Sequence, residues 1–237
     1  MILVTSLLFS IFAVAPDEVS VQLPTGDEVV ARMLARDNER QAALNGYTAA
    51  RRYVLENRGH NKRAEMVVRV TCLSDGSKQF ETISSTGWGG ARKFVFPRLL
   101  EAEVEAARPG VRERSRIIPE NYTFEMVGTT MLGTRPAYVL SIVPRTSNKY
   151  LTRGRIWIDA EEYAIVRIEG KPAKNPSFWI KSVQFVHTYD KRDSFWFPVS
   201  DRSVTDARIF GSTEVTIEYF DYVPNVLPPS AAASLNR

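Results

Sequence analysis

Alternating apolar and polar positions are the strongest pattern in the chain, and they are clearest between residues 154 and 170. This segment contains two extended runs joined by the polar turn 159–162. The apolar positions that share one side of the two runs are Ile156, Ile158, Ala164, Val166 and Ile168. A period of two with β-branched residues on the apolar side is typical of half-buried antiparallel strands. Because the turn is too short for a helical crossover, we predict that the two runs pair as a hairpin.

The same alternation recurs along most of the chain. It predicts further strands over 47–57, 64–72, 78–84, 122–127, 138–142, 178–189, 195–203 and 213–222. A tight hairpin turn is predicted at Asp75-Gly76, and another turn at 133–135. Pro198 follows the aromatic run 195–197 and indicates a sheet edge or a bulge, since proline cannot donate a ladder hydrogen bond.

Two helical segments interrupt the strands early in the chain. Thr25 and Glu28 have the spacing of a capping box, and the first helix is predicted to run from there to about Leu44. The second helix, over 91–107, has a broad apolar side and follows the glycine-rich segment 87–90. This arrangement suits a movable lid, and it also suits an ordinary loop followed by a core helix.

The number and order of these elements favour one fold class. About 9–11 antiparallel strands in up-and-down order, with two or three helices, predict an α+β protein rather than a parallel α/β fold. We expect a single strongly curved sheet, an unclosed half-barrel, with the helices covering its concave face.

The N-terminus carries a compartment signal. Residues 2–15 are uncharged and mostly apolar, and they end in Ala-Val-Ala at 13–15, a pattern suited to signal peptidase. We therefore predict a signal peptide over 1–15, a folded domain over 19–223 and a flexible tail over 224–237. A buried N-terminal strand, or a start codon placed too late, is the alternative. No cysteine lies directly after the apolar run, where a lipid anchor would be attached.

Composition and charge narrow the classes of partner. The chain has 237 residues, of which 24% are charged, and a net charge of +4, as in an ordinary globular protein. Its basic residues are scattered and often adjacent to acidic ones, so we predict no nucleic-acid partner. Weak attraction to anionic lipid surfaces stays open. The single cysteine, Cys72, cannot form an internal disulfide and is predicted to be a core residue.

Candidate catalytic groups are few. The two histidines, His60 and His187, show no metal-ligand spacing. Asp159, Glu161 and Glu162 form an acidic turn, and charged turns are usually solvated rather than catalytic. The sequence contains neither a GxSxG elbow nor a phosphate-binding glycine loop. We therefore predict a non-catalytic protein without a metal or cofactor, and a hydrolase is the least favoured alternative.

The hairpin and its surroundings resemble the bacterial outer-membrane lipoprotein-sorting and lipoprotein-carrier superfamily, the LolA/LolB-like proteins. The resemblance rests on the signal-like start, the early helix, the strand meander, the terminal segment TEVTIEYFDY and a Gly-x-x-Trp-hydrophobic-Asp hairpin. In this chain the hairpin motif consists of Gly154, Trp157, Ile158 and Asp159. The family pattern also includes an inward-pointing arginine, for which Arg51, Arg52 and Arg69 are three open candidates.

The resemblance implies a periplasmic protein of outer-membrane biogenesis that binds the acyl chains of a lipid or lipoprotein between sheet and helices. Its partners would be those acyl chains, an inner- or outer-membrane protein and, transiently, the membrane itself, and it would be a monomer. The ligand-binding wall that we predict consists of Met33, Leu34, Phe96, Leu100, Ile156, Ile158, Val166, Ile168, Val183 and Phe185. Plain core packing is the alternative for each of these residues.

Two other functions are open on the same fold. A relative in this superfamily senses lipoproteins, so a regulatory module is the first alternative. The second is a protein-interaction module that docks a partner strand along the aromatic run 195–197.

Overall fold

The computed structural model describes residues 23–175, 178, 180–208 and 211–226. Helix α1 (Gly26–Ala43) is followed by strands β1 (Leu44–Asn57), β2 (Lys62–Cys72) and β3 (Lys78–Gly87), with a 3-10 turn (Arg58–His60) between the first two strands. A π turn (Ala91–Val95) leads into helices α2 (Phe96–Ala107) and α3 (Pro109–Ser115). The remaining strands are β4 (Tyr122–Leu132), β5 (Arg135–Pro144), β6 (Thr152–Asp159), β7 (Ile165–Pro172), β8 (Ile180–Arg192), β9 (Phe195–Ala207) and β10 (Gly211–Val226).

The ten strands within the described residues form one antiparallel sheet. Their order is β3-β2-β1-β10-β9-β8-β7-β6-β5-β4, so strands that are consecutive in sequence are neighbours and β1 also pairs with β10. The two edges, β3 and β4, do not pair with each other. The sheet is therefore an unclosed half-barrel, and the predicted α+β class is confirmed.

Helix α1 packs on the concave face of β4–β7. The predicted capping box is present, since Thr25 Oγ1 accepts from the Glu28 N–H and the Glu28 carboxylate accepts from the Thr25 N–H at 2.7 Å. The apolar side of the helix belongs to a buried set that we call the first cluster: Val29, Val30, Met33, Tyr122, Leu140, Ile142, Leu151, Ile156, Ile158 and Ile168. Burial of these side chains is the main force that holds α1 on the sheet.

The π turn and α2 pack on the other half of the concave face. They contribute Ala91 and Phe96 to a second buried set, and the strands β1 and β2 contribute the rest. This second cluster consists of Tyr53, Leu55, Ala64, Met66, Val68, Ala91 and Phe96. Among the described residues, no helix is long and apolar enough to cross a bilayer.

A bulge in β7 corrects one predicted position. The register shifts beside Trp157, so that Ile165 rather than Val166 pairs with Ile158. Ile165 accordingly packs against the first cluster. Val166 lies on the outer face of the sheet, where it lines a cavity with Asp159 and other residues. Simple alternation failed here because the extra residue of a bulge reverses which side chains point inward.

Pro198 marks a bulge. The register between β8 and β9 shifts where Pro198 pairs with Tyr189. Strand β9 pairs with β8 from Phe195 onward, but its pairing with β10 begins only at Ser200. Within the described residues, the aromatic run 195–197 is therefore paired with a strand on one side only, and docking of a partner strand there stays a prediction.

Only one of the predicted domain boundaries falls among the described residues. Strand β10 continues to Val226, so residues 224–226 belong to the sheet and not to a tail. The predicted signal peptide, 1–15, and the rest of the predicted tail, 227–237, lie outside the described residues.

Candidate functional site

The candidate site is a strip of the concave face that lies between the two clusters. On β8 and β9 the cross-strand pairs are Val183 with Thr205, Phe185 with Ser203, and His187 with Asp201. On β10 the strip continues through Val215 and Ile217, which pair with Ser203 and Asp201. Cross-strand partners share a face of the sheet. We call these eight residues the central strip, and all of them are half-buried.

The central strip joins the two clusters without belonging to either. Phe185 packs against the first cluster, which carries α1, and Val215 and Ile217 pack against the second, which carries α2. Its floor is thus apolar along both sides and carries hydroxyl, imidazole and carboxylate groups in the middle. Such a mixed floor can hold a long apolar ligand that has a polar end.

The predicted wall residues fall into distinct places. Eight of them lie in the two clusters or against them: Met33, Leu34, Ile156, Ile158, Ile168 and Phe185 at the first cluster, and Phe96 and Leu100 at the second. Val183 lies in the central strip. Val166 is on the opposite face, as described above. The structure therefore does not bring the predicted wall together as one surface, because the central strip separates its two parts.

A buried arginine connects α2 to the sheet at the side of the central strip. Arg51 on β1 is 1% exposed, and its guanidinium donates to the Glu103 carboxylate on α2. Glu103 also accepts from the Tyr53 hydroxyl at 2.7 Å and from Lys78 Nζ at 3.3 Å. Burial opposes both charges, but Glu103 raises the pKa of Arg51, and Arg51 with Lys78 lowers the pKa of Glu103. The pair is therefore ionised at neutral pH.

Polar contacts continue from Arg51 across the central strip. The Arg51 guanidinium carbon lies 4.8 Å above the centre of the Tyr219 ring. The Tyr219 hydroxyl donates to Asp201, and His187 Nδ1 lies 2.7 Å from Asp201 Oδ1. A line of polar side chains thus runs from α2 through β10 and β9 to β8.

The three candidates for an inward-pointing arginine differ in their positions. Arg52 and Arg69 pair with glutamates at the surface, Arg52 with Glu65 at 3.0 Å and Arg69 with Glu81 at 3.1 Å. Only Arg51 of the three candidates points inward. The pattern of β1 indicated this position, because Arg51 is in phase with the odd-numbered residues of the strand that point inward.

Stacked aromatic rings lie beside this polar line. Phe197 stacks on Tyr222 with ring centres 4.3 Å apart, and Tyr47 packs against Phe197 at 5.1 Å. Burial raises the pKa of Tyr47 to about 12. Because these phenols stay neutral over the physiological pH range, the surroundings of Arg51 carry no competing negative charge from tyrosine.

Helix α1 is bonded to the β6–β7 hairpin through two of its arginines. Arg32 Nη1 donates to the Tyr163 hydroxyl at 2.8 Å, and Arg40 Nη1 donates to the Glu162 carbonyl at 3.1 Å. These bonds join two successive parts of α1 to the turn between β6 and β7. Helix α2 has its own bonds, through Glu103 as described above and through Glu105, which accepts from the Tyr150 hydroxyl.

The acidic hairpin turn is occupied by structural contacts. Asp159 is buried and accepts from the N–H groups of Glu161 and Glu162 and from Arg135 Nε at 2.6 Å. Burial opposes its charge, but the bonds from Arg135 and the two amides lower the pKa of Asp159. Glu162 accepts in turn from Lys191 at 2.8 Å and from the Trp196 indole at 3.0 Å. This arrangement leaves no carboxylate pair free in the turn for acid-base chemistry.

Two further features lie away from the central strip. A cavity of about 200 Å³ lies on the outer face and is lined by Leu132, Arg135, Ala137, Asp159, Val166, Arg167, Thr188, Tyr189, Asp190 and Trp196. Cys72 is half-buried with a free thiol whose pKa is raised by burial. Within the described part of the chain, no group of three or more His, Cys, Asp and Glu side chains could hold a metal ion.

Comparisons with known proteins return matches among solved structures. No protein-family model and no curated protein matches the sequence. An outer-membrane lipoprotein-sorting protein domain from Vibrio parahaemolyticus matches with a TM-score of 0.44 and 13% identity, over 89% of this chain and 97% of that chain. A LolA-superfamily protein from Nitrosomonas europaea matches with a TM-score of 0.38 and 8% identity, over 88% and 97%.

A third match is a DUF1329-family protein from Desulfovibrio piger, with a TM-score of 0.41 and 11% identity, over 86% of this chain and 96% of that chain. The first two matches carry the name of the superfamily that the sequence resembles.

Proposed function

We propose that this protein binds the acyl chains of a lipid or lipoprotein along the central strip, as a non-catalytic carrier. The observation that carries the proposal is the position of this half-buried strip between two apolar clusters, each with its own helix. An acyl chain laid on the strip would contact Val183 and Phe185 on one side and Ile217 on the other. Its polar end would meet the hydroxyl and charged groups of the strip.

Helix α2 is the part that would move to admit a ligand. Its only ionic attachment to β1 within the described residues is the Arg51–Glu103 pair, and Lys78 on β3 shares the same carboxylate. The chain enters α2 through Gly89, Gly90 and the π turn, and a π turn is a locally less stable form of helix. Breaking the contacts of Glu103, and those of Glu105 with Tyr150 and Lys149, would let this entry bend and widen the space above the central strip.

A buried donor on Arg51 also supports the proposal. Within the described residues, Arg51 Nε has no hydrogen-bond partner. A buried donor that lacks a partner costs about 1–3 kcal/mol. A ligand ester or phosphate oxygen could satisfy it once α2 has moved away from the sheet.

The energy available from an acyl chain is sufficient for stable binding. Burying about a dozen methylenes contributes roughly 10 kcal/mol at about 0.8 kcal/mol each. Ordering the ligand and moving α2 would reduce this sum by several kcal/mol. With a cost of about 4 kcal/mol, about 6 kcal/mol would remain, which corresponds to a dissociation constant of roughly 40 µM and suits a protein that takes up and releases its ligand.

The test is displacement of a fluorescent fatty acid by unlabelled lipid, measured on the purified chain. We expect uptake by the unchanged protein and at least a tenfold loss of affinity in Val183→Asp, because a charge would lie on the apolar floor. Val204→Asp is the matched control, since Val204 is on the next strand and is exposed on the outer face. No uptake by the unchanged protein, or equal losses in both variants, would refute the proposal.

Export to the periplasm is part of this proposal. It is supported by the apolar run 2–15 and the Ala-Val-Ala sequence at its end. N-terminal sequencing of the protein from a periplasmic fraction tests it, and we expect a new N-terminus soon after residue 15. Protein that keeps residue 1 in the cytoplasmic fraction would contradict export without affecting the binding proposal.

A further inference from the structure

A basic and aromatic surface lies where β2 and β3 lead into the π turn. We call it the basic patch, and it consists of Arg58, Lys62, Trp88, Arg92, Lys93 and Phe94. Its four cationic residues are all exposed, and Phe94 is 65% exposed, while Trp88 is half-buried. Among the exposed large hydrophobic residues of the described part of the chain, only Phe178 is more exposed than Phe94, at 75%.

Backbone contacts make the basic patch continuous. Arg58 and Lys62 lie in and after the turn between β1 and β2. The Trp88 N–H donates to the Arg63 carbonyl at 2.8 Å, which joins that turn to the start of the π turn. The Arg92 N–H then donates to the Trp88 carbonyl at 3.2 Å. Residues that are separated by about 30 positions in sequence thus share one surface.

The cations of the basic patch lack direct acidic partners. Within the described residues, none of the four forms an ion pair. Glu56 pairs with Arg63, and Glu214 pairs with Arg202 at 2.6 Å, although the charge of Arg58 also helps Arg202 to lower the pKa of Glu214. Lys62, Arg92 and Lys93 therefore carry most of the uncompensated positive charge of the patch, beside an exposed phenylalanine.

We infer that the basic patch docks the protein on an anionic phospholipid membrane, with Phe94 inserted at the headgroup level. Lys and Arg are attracted to anionic lipid headgroups, and aromatic side chains favour the interface between headgroups and acyl chains. Phe94 is 65% exposed in the π turn, directly after Arg92 and Lys93, and an aromatic side chain next to cations suits the headgroup level of an anionic bilayer. The docking itself does not depend on the proposed acyl-chain site.

The position of the basic patch gives docking a consequence for α2. The π turn that carries Arg92, Lys93 and Phe94 continues directly into α2. Membrane contact at the turn would therefore act on the end of the helix that covers the second cluster. This consequence rests on the proposed function, whereas the docking surface is tested separately.

Flotation with lipid vesicles tests the docking surface. The purified chain is mixed with vesicles of phosphatidylcholine alone or with about one third phosphatidylglycerol, and we expect binding only to the second kind, weakened by salt. Arg92→Gln combined with Lys93→Gln should weaken binding about 25-fold, since each cation near the surface contributes about 1 kcal/mol, or about fivefold. Phe94→Ser should also weaken binding, but without changing its dependence on salt.

The matched control removes the same charge elsewhere. Arg153 and Lys171 are exposed cross-strand partners on the β6–β7 hairpin without ion pairs in the described residues. Arg153→Gln combined with Lys171→Gln should leave vesicle binding within about twofold, because these residues lie outside the patch. Equal losses in both double variants, or no binding of the unchanged protein to anionic vesicles, would overturn the inference.

Two additional readouts separate membrane docking from nucleic-acid binding and from acyl-chain uptake. Binding of a single-stranded oligonucleotide that depends on Arg92 and Lys93, without vesicle binding, would also overturn the inference in favour of nucleic acid. Uptake of the fluorescent fatty acid in the absence of vesicles should be unchanged in the Arg92/Lys93 double variant. Failure of docking is therefore distinguishable from failure of the proposed acyl-chain site.

Discussion

The Arg51–Glu103 pair allows the clearest quantitative prediction. Replacing Glu103 by glutamine keeps the size of the side chain but removes the charge that compensates a guanidinium only 1% exposed. Loss of one partner of a buried pair costs about 3–5 kcal/mol, and the 23% exposure of the Glu103 side chain places this case at the lower end. We expect Glu103→Gln to lower the free energy of unfolding by about 3 kcal/mol.

A double variant separates the pair from its surroundings. A buried ion pair replaced by apolar residues of similar volume is often close to neutral. Arg51→Met combined with Glu103→Leu should therefore cost less than the sum of the two single changes, by at least about 1 kcal/mol. Additive costs would show that Arg51 and Glu103 do not act as a pair.

The assay is equilibrium unfolding in urea, followed by circular dichroism, at neutral pH. Glu101→Gln is the control, because Glu101 is exposed on the same helix and has no ion pair in the described residues. We expect the control to stay within about 0.5 kcal/mol of the unchanged protein. A similarly small effect of Glu103→Gln would refute the claim that this pair holds α2 to the sheet.

Three further changes test other parts of the account. The pKa of Glu103 is lowered in the folded state, so its contribution to folding stability is complete above the unfolded pKa of about 4.3 and is lost as pH falls through the folded pKa. The difference in unfolding free energy between the unchanged protein and Glu103→Gln, measured by urea unfolding across pH, should therefore shrink below about pH 4. A difference that stays constant with pH would contradict this. Gly154→Ala would place a Cβ 1.9 Å from the Glu169 carbonyl oxygen and should cost about 2–4 kcal/mol by thermal unfolding, while Gly59→Ala, which meets nothing closer than 3.7 Å, should be nearly neutral. Asp159→Asn should cost about 2 kcal/mol in the same measurement, because it weakens the charged bond to Arg135, and a neutral result would show that this network does not stabilise the hairpin.

The sequence predicted the local structure of the sheet well. Alternation located every strand, because each is half-buried on a curved surface and its side chains must follow a period of two. The hairpin centred on Asp159 was recognised for the same reason, and the capping box at Thr25 was recognised because its bonds span only three residues. A pattern can be recognised without knowing the fold when the residues that interact are close together in the sequence.

Features that depend on distant partners were harder to predict. The pairing of β1 with β10 brings Arg51 beside Tyr219. The sequence of neither strand indicates that it pairs with the other. The bulges at Val166 and Pro198 reverse or interrupt alternation at positions set by neighbouring strands. Helix α3 was not predicted as a separate element, because its seven residues are too few to establish a periodic apolar face.

The candidate site shows the same division. Most predicted wall residues lie on the helix-bearing face, but the central strip between them contains polar residues that a search for apolar positions passed over. Ser203, Thr205 and Asp201 are in the strip because of their cross-strand partners on β8 and β10. Register, rather than residue type, therefore defines the proposed binding surface.

Crosslinking with a photoactivatable fatty acid, mapped by mass spectrometry, would locate the acyl chain on the protein. We expect labels on β8, β9 and β10 at the central strip and on the facing side of α2, all reduced by an excess of unlabelled lipid. Labels confined to the outer face, or labelling that unlabelled lipid does not reduce, would contradict the proposed acyl-chain site.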